Sequence, residues 1–322
     1  MRFLLDPEQR AFAATLDRML TAADTPAVIR DWSRGDRGRG RALWARLAEA
    51  GVFALAVPEG YGGLGRRPVD LAVAFTELGR HAVPGPLAET VAAAVLLAGP
   101  GTAGRFLPGL AAGTEMATVA APGGYALDGD AATLRLLPTP EGLRLSTTAG
   151  PVRRSLDPAR RHTPLAPDGE LLTAGPPHPD ALVWARLATT GQALGTGLAL
   201  LDRTVAHVRR RTQFGVPVGS FQAVKHRLAD ARTALEFARP LLFGAAVSLR
   251  PADVAAAKLA ACEAAYTTAR TALHLHGAIG YTAEYDLSLW LTRARALRSA
   301  WGTPEECRAV FLDAALGRPA SG

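Results

Sequence analysis

The sequence predicts a mainly α-helical protein with a small β domain in its middle and a four-helix bundle at its end. Three observations carry this reading. Apolar residues recur at steps of three, four and seven over long stretches, as in Leu187, Leu194, Leu198, Leu201, Val205 and Val208, which is one stripe of a long helix. Between about Thr114 and Pro179 the pattern changes to short segments (MATVAA, ATLRLLP, GLRLSTT, ELLTA) divided by Gly, Pro and Asp-Gly pairs, the grammar of short strands and turns. Beyond residue 180 the helical patterns resume and are broken only briefly. The expected division is therefore a helical domain over 1–113, a reduced β domain over 114–179 and a helical bundle over 180–322.

Taken in order, DPEQRAFAATLDRML opens with a capping Asp6, Pro7 in the first turn and apolar residues at Phe12, Leu16 and Leu20. A helix is expected from Asp6 to about Leu20. A second follows from about Arg39 to Ala50 around Leu43, Trp44 and Leu47. The run GVFALAVPEGYGGLG then gathers Gly60, Gly62, Gly63 and Gly65 around Tyr61, which demands tight turns and predicts a loop beside a cleft. No Lys-Ser/Thr follows these glycines and they open no repeated β-α-β unit, so a nucleotide loop of the Walker or dinucleotide type is excluded. Helices resume from Pro68 to Gly79 and from Pro86 to Ala98. In the middle region SLDPARRHTPL, from Ser155 to Leu165, reads as an arginine-bearing turn or strand entry. After the first bundle helix, Val224, Leu228, Ala231, Leu235, Ala238 and Leu242 form a second stripe, and Leu259, Cys262, Tyr266, Ala269, Leu273 and His276 a third. Shorter helices are expected over about Tyr285–Arg298 and Pro304–Leu316. Small residues on the stripes allow close helix approach, and broad apolar faces left over suit subunit contact.

The net charge of +7 arises from arginines spread over most of the chain, 34 of the 36 basic residues, and this compositional bias argues against a nucleic-acid face. Cys262 and Cys307 stand far apart without metal-ligand spacing, so reduced core thiols of a cytoplasmic protein are expected. Asp6, Glu8 and Arg10 interrupt what would be the apolar core of a leader, and no uncharged apolar run reaches membrane-spanning length.

The stretch RRRTQFGVPVGSFQAVKHRLAD, Arg209–Asp230, ends one helix near Gly215 and starts another near Ser220. Several guanidiniums thus meet freed backbone groups at one junction, an arrangement suited to phosphate and equally to an ordinary bundle turn.

Taken with LHLHGAIGYTAEYDL, and with LDPEQRAFA, GVFALAVPEGYGGLG and FTELGRHAVPGPLAET near the N-terminus, this stretch resembles the acyl-CoA dehydrogenase family over essentially the whole chain. The resemblance implies an FAD-dependent enzyme that removes an α proton and a β hydride from an acyl-CoA and passes electrons to an electron-transferring flavoprotein. It implies that Arg211, Gln213, Phe214 and Gly215, with Phe221 and Gln222 at the next helix start, contact the tail of a neighbouring subunit's FAD. It also implies that His276, Gly277, Ala278, Gly280 and Tyr281 form the family's glycine-rich turn against FAD, with Ala278 in place of a second glycine. Thr303 and Glu305 are expected near the cofactor at the start of the last helix.

Two departures stand out. Where many members carry a catalytic Glu before Gly-Thr, this chain has Trp301; where others place the base on the first bundle helix before Arg-Leu, it has Ala185. Neither side chain accepts a proton at a useful pKa. The family's Thr-Glu-Pro and Gly-Ser-Asp contacts to the flavin ring are also missing from VAAPGGYALDGDA, Val119–Ala131. These departures resemble the non-catalytic subunit of actinobacterial heteromeric members, including those of steroid catabolism, and the expected partner is a Glu-bearing paralogue in a heterotetramer. Two other readings are a stand-alone flavoenzyme with a relocated base or another reaction on acyl-CoA or acyl-carrier protein, and a scaffold that has lost FAD.

Overall fold

A computed structural model describes residues 4–121 and 123–318. Pro122, inside the Val119–Ala131 stretch, and Met1–Phe3, in the N-terminal stretch read for a leader, lie outside the described residues. The architecture is the expected one, helices at both ends and small sheets between, and the chain forms two compact units.

One unit comprises Met1–Thr21, Ala72–Ala82 and Thr189–Gly322. Its helices are α1 (Pro7–Ala22), the larger part of α4 (Pro68–Arg80), most of α7 (Asp180–Arg210), α8 (Gln222–Ser248), α9 (Pro251–His276), α10 (Leu287–Leu297) and α11 (Pro304–Ala315). α1 starts on a reciprocal cap: the Asp6 carboxylate accepts from the Gln9 N–H at 2.8 Å and the Asp6 N–H donates to the Gln9 amide oxygen at 3.2 Å. Small residues set the packing, as the stripes predict. A Cβ on Gly195 of α7 would stand 1.9 Å from the Thr76 carbonyl of α4, and one on Gly79 would stand 2.1 Å from that of Gln192. α9 is the central helix: its buried Val254, Ala255, Ala257, Ala261, Ala264, Ala265 and Ala272 leave α8, α10 and α11 free to pack closely on it.

The other unit comprises Ala22–Leu71 and Val83–Ala188. It holds α2 (Thr25–Arg34), α3 (Gly38–Glu49), α5 (Leu87–Leu96), α6 (Ala103–Ala111) and the strands β1 (Ala117–Val119), β2 (Tyr125–Leu127), β3 (Leu134–Thr139), β4 (Gly142–Leu145), β5 (His162–Pro164) and β6 (Leu171–Ala174). α5 is buried throughout and apolar but for Glu89 and Thr90 in its first turn. The main sheet has the order β1-β3-β4-β6, parallel only between β1 and β3, and β2 pairs antiparallel with β5. Gly142, at φ 149°, lies so close to β6 that a Cβ would meet the Thr173 carbonyl at 1.9 Å.

Among the described residues, α2, α6 and β2 go beyond the sequence reading, while β5 falls in the stretch read as a turn or strand entry. α2 carries Pro26 in its first turn and closes on Gly35 in the left-handed region, a helix signature hidden in a short segment. α6 contains Pro108, whose ring ordinarily breaks a helix pattern. Tyr61 and its glycines form a short 3-10 turn and loop, with Gly62 and Gly65 at φ 79° and 80°.

Candidate functional site

The first cluster is the junction after α7. Instead of passing straight from helix to helix, the chain makes a small hairpin, β7 (Thr212–Gln213) against β8 (Val216–Pro217), before α8 begins at Gln222. Its two turn residues, Phe214 at φ 51° and Gly215 at φ 78°, are both left-handed, the requirement of a two-residue type I′ hairpin. A Phe in that conformation costs on the order of 1 kcal/mol. It is nonetheless held out to solvent, 91% exposed, with Phe221 edge-on to it at 6.2 Å. An aromatic displayed at a conformational cost is suited to meeting something outside its own chain. Gln213 and Gln222 are exposed beside it, as are Arg209, Arg210, Lys225, His226 and Arg227, so the junction is strongly cationic.

Arg211 is half-buried and differs from its neighbours in being oriented. Its guanidinium donates to the His276 carbonyl at 3.0 Å, and its N–H to the His207 carbonyl at 2.9 Å. That bond joins the junction to the second predicted motif, the 3-10 turn Gly277–Tyr281 that follows α9. Gly277 ends α9 at φ 64° and ψ −141°, a region that only glycine enters readily. A Cβ there would lie 3.7 Å from the Arg211 guanidinium. Ala278 is exposed, so its extra methyl meets no crowding within the chain; Gly280 is buried and Tyr281 is 77% exposed. Arg211, Gly277 and the displayed Phe214 thus belong to one end of α9. An oriented guanidinium, with cations around it and an exposed aromatic, fits the diphosphate and adenosine of FAD.

The turn at Trp301 belongs to the other end of that helix. Lys258, 1% exposed on α9, donates to the Gly302 carbonyl at 2.7 Å and the Arg298 carbonyl at 3.3 Å, with the Cys262 sulfur at 3.9 Å. Sequence reasoning missed this residue; a lone Lys on the apolar stripe of α9 was its only signal. Lys258 and His276 are eighteen residues apart on α9, about 27 Å along its axis. Trp301, half-buried, adopts φ 58°, a left-handed conformation uncommon for a bulky residue. Thr303 caps α11: its hydroxyl accepts from the Glu306 N–H at 3.2 Å while the Glu306 carboxylate accepts from the Thr303 N–H at 2.8 Å. Glu305 is exposed in the first turn, and bonding to its own backbone N–H, with Thr303, Arg298 and Arg308 adding, holds its carboxyl below the usual range. It is an anion at a helix start, and lacks the raised pKa of a general acid–base group. Ala185, in α7 within the other unit, is fully buried.

In that other unit Arg160 and Arg161 are structural. Arg161 pairs with Asp130 at 2.7 Å, and Arg160 faces the buried Glu89 at 4.0 Å. Asp128 is fully buried, and burial pushes its carboxyl up to about 7 against the opposing pull of Trp32, Arg37 and Arg160. Among the described residues Asp17, Glu77 and His81 also come within 4.8 Å of one another, but Asp17 already bonds His81 at 2.8 Å and Glu77 faces Arg80 at 3.7 Å. Cys262 and Cys307 are buried free thiols.

Residues 6–114 match the family described as acyl-CoA dehydrogenase, N-terminal domain, and residues 179–316 the acyl-CoA dehydrogenase C-terminal domain. The chain is 35% identical over 306 residues to the acyl-CoA dehydrogenase IpdE2 of Mycobacterium tuberculosis, covering 93% of this chain and 95% of that one. It is 32% identical to the acyl-CoA dehydrogenase FadE34 of the same organism over 86% of this chain and 43% of that protein. The fold is shared with the ChsE4-ChsE5 complex of M. tuberculosis, at TM-score 0.84 and 22% identity, covering 99% of this chain and all of that one. It is shared equally with a glutaryl-CoA dehydrogenase of Mycobacterium smegmatis solved with FADH2, at TM-score 0.84 and 20% identity over 99% and 97% of the two chains. The chain belongs to the acyl-CoA dehydrogenase family.

Proposed function

We propose that this chain is the subunit of a hetero-oligomeric acyl-CoA dehydrogenase that lacks a catalytic base of its own and completes the cofactor site of a Glu-bearing paralogue. The observation that carries this reading is the contrast between the two ends of α9. One end keeps an oriented Arg211, a glycine-closed helix terminus and a displayed Phe214; at the other the base position is an indole, and the second base position, Ala185, is a buried methyl. A chain that had lost its role altogether would have little cause to keep a Phe in a left-handed turn at its surface.

Arg211 would hold a phosphate of the FAD tail, with Phe214 and Phe221 against the adenosine and the backbone at Gly277 lying close; Gln213, Gln222, Ala278 and Gly280 complete that surface. Bound there, FAD supplies the two-electron acceptor for α,β-dehydrogenation of an acyl-CoA thioester. This chain's residues bind and orient; the proton is removed by the partner's carboxylate, and an electron-transferring flavoprotein is the expected electron acceptor. Thr303 keeps its capping role with Glu306 and Glu305 its place in the first turn of α11, and both remain part of the surface near the cofactor. The segments 1–113, 114–179 and 180–322 serve respectively as helical cover, reduced ring-side domain, and tail-binding and assembly domain, in a cytoplasmic setting.

The test is retention of FAD by the co-purified complex. Arg211→Ala is expected to lower the flavin-to-protein ratio after gel filtration, and Trp301→Glu is not needed for turnover. Full flavin retention by the Arg211→Ala complex would refute the assignment.

A further inference from the structure

The last turn of α7 and the last turn of α9 each carry a histidine, and the two rings lie face to face. Their centroids are 4.0 Å apart and their planes 25° apart. The Tyr285 ring lies 5.7 Å from that of His276. The His276 Nδ1 stands 2.8 Å from the Ala272 carbonyl oxygen, which can only accept, so the proton sits on Nδ1 and Nε2 carries a lone pair. The Nε2 atoms of both rings are buried without a hydrogen-bond partner. Neither ring is therefore stabilised as a cation from that side.

This pair carries the oriented arginine. Arg211 donates its backbone N–H to the main-chain carbonyl of His207, the i−4 bond that continues α7, and its guanidinium to the main-chain carbonyl of His276, so the second bond bridges the two helix ends that the stacked rings also join. Like charge faces the pair from its own helix, where Arg210 and Arg211 act on His207, and Arg211 acts on His276 across the junction. The acidic neighbours on the following turn, Asp286 and the Tyr285 hydroxyl, act on Arg203.

We propose that His207 and His276 are positioning residues for Arg211: their neutral stack holds together the two helix ends that the Arg211 guanidinium bridges, and protonation of either ring, which sets like charges against each other and against Arg211, loosens that bridge and weakens binding of a diphosphate at the junction. The proposal rests on the FAD-tail reading of Arg211 and adds a pH dependence to it. Burial, then the other ring, then Arg211 and Arg210 hold His207 down to about 4, and burial, partly countered by the bond to Ala272, lowers His276. Both rings are thus neutral near neutrality. A group whose pKa is depressed in the folded protein destabilises the fold as pH falls from its ordinary value towards the folded one, here below 6.5 and towards about 4 for His207.

Two measurements on the full chain test it. Imidazole NMR signals of His207 and His276, assigned by single replacement, should stay those of neutral rings through the ordinary histidine range and change only in acid. Titration of both at the ordinary histidine value overturns the proposal. ADP serves as the second probe. Its affinity should fall about tenfold more on acidification in the wild type than in His207→Phe, which keeps a ring and removes the titration; tenfold corresponds to a coupling of one pKa unit. Identical pH profiles of the two proteins overturn the positioning role. If ADP fails to bind at neutral pH while the two signals behave as predicted, the FAD-tail reading fails and the neutral pair stands.

Discussion

Replacing Asp128 by Asn should stabilise this protein, and more strongly in alkali than in acid. The carboxylate is fully buried, and neither oxygen has a hydrogen-bond partner; the Trp32 indole N–H, also without one, faces it. Its pKa rises from 3.8 to about 7, chiefly by burial. A raised acid pKa means that the folded state holds the proton more tightly than the unfolded chain, so stability is lost as pH rises from 3.8 towards about 7. At 1.36 kcal/mol per unit the full cost above pH 7 is about 4 kcal/mol, and at pH 5 it is about 1.6 kcal/mol. Asn has the same shape, tolerates the left-handed φ of 50° at this position, and does not ionise. The stability difference between Asp128→Asn and wild type, measured by urea unfolding, should therefore grow by roughly 3 kcal/mol in favour of the variant between pH 5 and pH 8. A difference that is the same at both pH values would refute the reasoning, because an amide and a permanently protonated acid would then be equivalent.

The close approach of α4 and α7 gives a further prediction. Gly195→Ala places a methyl 1.9 Å from the Thr76 carbonyl and 2.7 Å from the Arg80 N–H, and should cost about 2–3 kcal/mol or more by forcing the helices apart. Gly104→Ala, in the first turn of α6 with only the Tyr61 ring at 4.0 Å, should instead be neutral or stabilising by up to about 1 kcal/mol, since it removes a helical glycine without a clash. Thermal melts of the two variants separate the cases. Equal effects would mean that helix propensity, and not backbone contact, governs Gly195.

Much of this architecture is legible because period and punctuation are local properties. The stripes Leu187–Val208 and Leu235–Leu242 lie on buried faces, and of the third stripe Cys262, Ala269 and His276 are buried while Leu259, Tyr266 and Leu273 are half-buried; turn residues divide the strands of the middle region. The first part of the second stripe is different: Val224 and Leu228 are only half-buried, on a stretch of α8 otherwise exposed from Gln222 to Asp230. Periodicity reports that a face is apolar, not what covers it. The candidate site was legible in its glycines and arginine, because left-handed turns and phosphate chemistry demand particular residue types. It was not legible in Lys258 or in the stack of His207 on His276. Those contacts join positions forty or more residues apart, and no spacing along the chain announces them. The Phe214–Gly215 hairpin is an intermediate case: the helix break was readable, but a type I′ turn with Phe in its first position runs against the Asn-Gly and Asp-Gly preference of such turns.

The central claim is that this chain holds part of a flavin site whose base belongs to another subunit. It is tested most directly by anaerobic flavin bleaching with a panel of acyl-CoA thioesters, applied to the isolated chain and to the chain co-expressed with a Glu-bearing paralogue. The account predicts bleaching only in the co-expressed complex, lost when the paralogue's Glu is replaced by Gln. Bleaching by the isolated chain would contradict it.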